Sequence, residues 1–182
     1  MAVGLSLLGL FFIAAAVIVS LPTGSSNKYG GLPSWLPKAS VPVGRVVDAS
    51  AAHPWLAIQG DTVRVELPHG SVMVTTVGPR VPEIGEVPVP PTSLCTFAVT
   101  FTSATGVVPI NPRAFTIKDE FGNYHYPTVT LEGGGAVPSD IPAGKAVTLS
   151  VSDVLPTGEG QLRWAPEGPE PIVSWDFDVE ID

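Results

Sequence analysis

Residues able to do chemistry are few in this chain, and their spacing limits what they could do. Three histidines stand at His53, His69 and His125, far apart in sequence and each beside a proline or a turn signal. A hydrolase needs a nucleophile, a base and a group that orients the base. Serines are plentiful, but no Gly-x-Ser-x-Gly elbow occurs, and no cysteine-protease setting is present. Exposed loop histidines are therefore the expectation. The same residues could bind zinc or copper through imidazole nitrogen, but no pair has the short spacing that places two ligands on one helix or strand. Asp119 and Glu120, beside Gly122-Asn123, could offer oxygens to calcium, yet the twelve-residue calcium-loop pattern is missing, so a turn-forming role is expected. No glycine-rich loop leads into a helix, which leaves no nucleotide site. Catalytic residues, cofactor and metal are all expected to be absent, and the chain reads as a non-enzyme.

Two further groups stand out. Cys95 is the only cysteine, so no internal disulfide can form. It falls in register with Phe97, Val99 and Phe101, which predicts a small buried core residue rather than a reactive thiol. Near the C-terminus, Asp176, Asp178, Glu180 and Asp182 alternate with Trp175, Phe177, Val179 and Ile181. On a strand the four acids share one face. That row reads either as a docking face for a basic partner or as like charge that keeps a strand edge from pairing with a second molecule; edge protection is the favoured expectation.

The elements that must position these residues are strands. The stretch from Cys95 to Tyr126 carries the clearest pattern: Cys95, Phe97, Val99 and Phe101 alternate with Thr96, Ala98, Thr100 and Thr102, the period of a half-buried strand. A second strand puts Phe115 and Ile117 opposite Thr116 and Lys118, Gly122-Asn123 supplies a tight turn, and Tyr124 and Tyr126 lie opposite His125. Elsewhere Thr62–Leu67 and Ser71–Val77 read as a hairpin around Pro68-His69-Gly70, and a proline-rich connection from Arg80 to Thr92 is expected to cross between sheets or pass around an edge. Tyr124–Leu131 reads as one strand, Val147, Leu149 and Val151 as an inward face, and Ile172–Ile181 as the most regular strand of all. With 19 Gly and 20 Pro favouring turns over helices, the predicted fold class is all-β: an immunoglobulin-like antiparallel sandwich. It should have about seven to nine strands.

The net charge of −8 argues against nucleic acid, because replacing the counterions of a phosphate backbone takes Lys and Arg. The segment Ala2–Leu21 is apolar apart from Ser6, Ser20 and two glycines, and no charged side chain precedes Lys28. About twenty such residues can cross a hydrocarbon core of ~30 Å as a helix. An uncleaved anchor is preferred over a cleaved signal peptide, because the run is long and no Ala-x-Ala site follows. The organisation expected is a membrane segment at 1–22, a Pro/Gly/Ser-rich stalk at 23–41 and a sandwich domain at 42–182. The positive-inside rule, applied to Lys28 and Lys38 alone, would place the domain in the cytoplasm; the extracytoplasmic side is nonetheless expected.

The order from Cys95 onward resembles a known arrangement. CTFAVTF is followed by the hairpin FTIKDEFGNYHYP, then by IPAGKAVTLSV and finally by WDFDVEI. This resembles the telokin-like, immunoglobulin-fold domains of unknown function on secreted proteins and lipoproteins of Gram-positive bacteria of actinobacterial type. It is more distantly similar to secreted immunogenic proteins of mycobacteria. The resemblance covers about half the chain and brings no site residues. It implies a non-catalytic module outside the cytoplasm, although the lipobox cysteine of lipoprotein relatives is missing. The function expected is a binding or structural module tethered to the bacterial membrane, with an envelope protein as its partner. An inhibitor of an extracellular enzyme and a metal-binding envelope protein are the alternatives.

Overall fold

The computed structural model describes residues 46–82 and 91–179. The apolar segment, the stalk, Glu180 and Asp182 lie outside the described residues. Eleven strands are present among the described residues: β1 (Val47–Ala49), β2 (Trp55–Ile58), β3 (Thr62–Leu67), β4 (Gly70–Arg80), β5 (Thr92–Gly106), β6 (Phe115–Asp119), β7 (Tyr124–His125), β8 (Thr128–Leu131), β9 (Val147–Pro156), β10 (Gly158–Trp164) and β11 (Val173–Val179). The one helical element among them is a single 3₁₀ turn at Pro112–Ala114, capped by the Asn111 side chain. No helix among the described residues is long and apolar enough to cross a membrane.

The strands form two sheets, one ordered β1-β3-β4-β5-β9-β8 and the other β2-β11-β10-β6-β7. Both are mixed rather than purely antiparallel, because β1 runs parallel to β3 and β2 runs parallel to β11. The strand count exceeds the expected seven to nine for a local reason. Tyr124–Leu131 is not one strand: Pro127 has no N–H to give a ladder and restricts Tyr126 before it. β7 joins the five-stranded sheet before this break and β8 joins the six-stranded sheet after it. Another of the chain's sheet changes falls at Pro156–Gly158, where Gly158 adopts φ 118°. The Arg80–Thr92 connection does not change sheets, since β4 and β5 are antiparallel neighbours.

Burial follows the alternation read from the sequence. Cys95, Phe97, Val99 and Phe101 on β5 share one core with Phe115, Ile117, Leu162, Trp164, Trp175 and Phe177 from the other sheet. Phe101 meets Trp164 edge-on at 5.2 Å, and Phe97 meets Phe177 at 4.8 Å between ring centroids. The alternation on β5 breaks once. Ser103, at φ 53°, is the extra residue of a bulge opposite Ser71–Met73, and it resets the phase so that Ala104 points inward. The outer faces differ. On the six-stranded sheet, Thr62, Thr75, Thr100 and Thr148 lie in one cross-strand row, and their hydroxyls bond in pairs at 2.7 and 3.2 Å. The outer face of the five-stranded sheet is more varied.

Candidate binding face

The register of the five-stranded sheet assembles a row that no single strand contains. Ile58, Asp176, Gln161, Lys118 and Tyr124 lie side by side across all five strands, on the face opposite the core. The neighbouring row holds Leu56, Ser174, Arg163 and Thr116. One strand step in the other direction, Glu159 pairs with Asp178. Each of these positions is outward because its sequence neighbours are inward: Ala57 on β2, Trp175 and Phe177 on β11, Gly160 and Leu162 on β10, and Ile117 on β6 are all buried.

Two open recesses share this face, with Lys118 and Gln161 common to both. The larger, of about 800 Å³, has Ile58 and Phe121 at its rim and carboxylates from Glu120, Glu159, Asp176 and Asp178 on its walls. The smaller, of about 320 Å³, lies between Trp55 and Tyr124 with Arg163 and Ser174 on its floor. The Arg163 guanidinium sits 5.1 Å from the centre of the Tyr124 ring, a cation–π contact that fixes both groups. Gln161 Nε2 donates to Asp176 Oδ1 at 3.0 Å, holding that carboxylate half-buried. The Glu120 carboxyl lies over Gly158, where a Cβ would come within 2.7 Å of it. A bare glycine there lets the carboxyl reach the wall. The rim is apolar and uncovered: Ile58 is 62% exposed, Phe121 72% and Tyr124 50%.

Asp176 and Asp178 thus stand on this face, as the alternation predicts, while Glu180 and Asp182 lie outside the described residues. The two described acids differ in how their stretch of strand is paired. β11 is an interior strand, hydrogen-bonded to β10 on one side and to β2 on the other over Val173–Asp176, and the sheet's edge strands are β2 and β7. Asp176 therefore has no edge to protect, whereas Asp178 lies beyond the β2 pairing, on a part of β11 that is bonded to β10 alone.

Of the three histidines, His53 and His69 are exposed and sit in or beside turns, as expected. His125 departs from that expectation: it lies on β7, partly buried, and its Nε2 donates to Asp119 Oδ2 at 3.0 Å. Asp119 also accepts from the Asn123 amide at 2.8 Å and from the Asn123 side chain at 3.0 Å, so it organises the β6–β7 turn. Burial opposes its ionisation. The hydrogen bond from His125 and the pair from Asn123 outweigh that and hold the Asp119 carboxyl down at about 2. Its two oxygens are thereby committed to the turn, which is the role the sequence predicted over calcium. Among the described residues no three of His, Cys, Asp and Glu lie close enough together to hold a metal. Cys95 is buried, its thiol points at the Ser93 carbonyl at 3.6 Å, and burial pushes its pKa up to about 11.

Asp176 and Asp178 were the residues of this face that the sequence marked as a possible partner surface; Thr116 and Lys118 were placed on one strand face without a role. Ile58, Phe121, Lys118 and Gln161 carried no motif; the only available signal was polar and apolar residues at outward positions of four separate strands and one turn.

No protein-family model matches the chain, and no curated protein matches it. Among solved structures, it is similar to MPT63, a secreted protein from Mycobacterium tuberculosis, at 17% identity over 70% of this chain and 100% of that one, with a TM-score of 0.45. It is also similar to YcdA, a protein of Bacillus subtilis assigned as a lipoprotein, at 17% identity over 64% of this chain and 38% of that one, with a TM-score of 0.42.

Proposed function

We propose that this protein is a non-catalytic binding module of the bacterial cell envelope, a sandwich of the telokin-like immunoglobulin kind held at the membrane by Ala2–Leu21 and displayed outside the cytoplasm. The outer face of the five-stranded sheet is its binding surface. The observation that carries this reading is a cluster of five exposed large apolar side chains. Trp55, Leu56, Ile58, Phe121 and Tyr124 all line the two recesses of that one face, around a floor of polar side chains already held by their own neighbours. Contiguous apolar groups left open beside fixed polar groups mark an interaction site rather than a solvated surface. The anchoring part of the proposal is supported by the length and apolarity of Ala2–Leu21, against a domain whose acidic charge gives it no attraction to anionic lipid.

Photo-crosslinking in the native host tests the face directly. A photoreactive residue replacing Phe121 should give discrete adducts, whereas one replacing Thr128, exposed on the outer side of the other sheet, should not. Adducts at neither position, or equally at both, would overturn the assignment.

A further inference from the structure

We infer that the occupant of this face is an extended polypeptide segment of a partner protein, one that carries a Lys or Arg flanked by apolar side chains. The inference rests on the binding-face reading above and supplies the chemistry of what binds.

Three observations select that class. First, the larger recess is strongly one-signed. Glu120, Glu159, Asp176 and Asp178 line it, against the single cation Lys118. A cationic group entering it gains from several carboxylates at once, and an anionic one is repelled by the same set. Second, the rim beside those carboxylates is apolar, with Ile58 and Phe121 the most exposed large side chains of the face. A bare inorganic cation would leave them uncovered. A basic side chain has an aliphatic stem, and its apolar neighbours in a peptide would cover them. Third, the far end of the face changes character: Arg163 and Lys118 lie between Trp55 and Tyr124. That end disfavours a second basic group but offers two aromatic surfaces to an apolar or aromatic one. The face therefore has a direction, with a basic-binding end at Glu159 and Asp178 and an apolar-binding end at Arg163 and Ser174.

The dimensions agree. From the Glu159–Asp178 pair to the Arg163–Ser174 pair is four residues along β10, about 13 Å, which the middle of an extended six-residue segment covers. The competing occupants fit less well. A second copy of this chain would bring the same carboxylates against each other, in a molecule with net charge −8. Anionic lipid headgroups and acidic glycans meet the same repulsion.

The test uses the full-length chain in a mild non-ionic detergent and three fluorescent six-residue peptides. One alternates Lys with Leu and Phe, the second has Ser in place of Lys, and the third has Glu in place of Lys. Binding is followed by fluorescence anisotropy at several salt concentrations. The basic peptide should bind, with an affinity that falls as salt rises, and the Ser and Glu peptides should not. The variant Asp176→Asn/Asp178→Asn keeps the shape and the hydrogen bond from Gln161, and should weaken the basic peptide about tenfold or more. Phe121→Lys should abolish binding by placing a cation of the chain itself in the recess, while Thr128→Lys should leave it unchanged. Equal binding of the Ser or Glu peptide, or an undiminished affinity in the double Asn variant, overturns the proposal. Absence of peptide binding together with crosslinks at position 121 sinks only the ligand class. Absence of both removes the face as well.

Discussion

At the scale of single residues, the two groups most open to a functional reading are tied into the fold. Cys95 combines full burial with a pKa pushed up to about 11, so the reactive thiolate is scarce at neutral pH. Cys95→Ala should cost about 1–2 kcal/mol through the small cavity left behind, and the native thiol should react with a maleimide only as fast as the domain opens. Labelling within seconds in the native state would contradict the structural role. Asp119 has a different signature, in pH. Its folded pKa of about 2 lies below the ordinary 3.8, so its stabilising effect is complete above about pH 4 and is lost as pH falls through about 2. Melting temperatures of the wild type and Asp119→Asn should differ by a constant amount above about pH 4 and converge below it. A gap that stays constant down to about pH 2 would show that the turn does not depend on the charge.

Among elements, the sequence was most informative where a residue's environment depends on its own strand. The inward rows of β5, β9 and β11 and the β3–β4 hairpin could be read directly, because alternation and a tight turn are local properties. Which strand lies beside which is not local. The parallel pairing of β2 with β11 carries no sequence signal, so nothing in the sequence separates Asp176, enclosed between β2 and β10, from Asp178 beyond the β2 pairing. The candidate face was hidden for the same reason: one row of it takes a residue from each of five strands. Gly160 illustrates the reach of such pairings. It lies opposite Phe177, and a Cβ at that position would sit 2.4 Å from the Phe177 ring. The ring covers the bare glycine. Gly160→Ala should therefore destabilise the domain by about 1–3 kcal/mol through overpacking, and Phe177→Ala by about 3–5 kcal/mol through lost burial. Combined, the two should cost less than their sum, since the ring that the added methyl group would strike is gone. Urea unfolding of the wild type, the two single variants and the double variant checks this; strict additivity would mean that ring and glycine do not share the space.

For the whole molecule, the sandwich and the apolar run make separable predictions. If Ala2–Leu21 alone determines membrane association, a chain beginning at Lys38 should fold and remain in the soluble fraction after cell lysis. Persistence in the membrane fraction would move the attachment onto the domain. Protease added to intact cells should digest the domain of the full-length protein; complete protection would place it in the cytoplasm, the side that Lys28 and Lys38 favour on charge grounds.

The position of β11 also governs when this molecule can fold. The five-stranded sheet is built around the latest of its strands: β2, made early, must wait for β11 before its backbone groups find a ladder. Closing a loop of that length comes late and slowly, because the entropy of the intervening chain is lost before the pairing rewards it. A nascent chain emerging in order cannot complete this half of the sandwich until β11 has cleared the ribosome. The five-stranded sheet of such a chain stays open until its last strand is made. Arrest of translation just before Val173 should leave β2 as protease-sensitive as unfolded chain, and release should convert it to a resistant form.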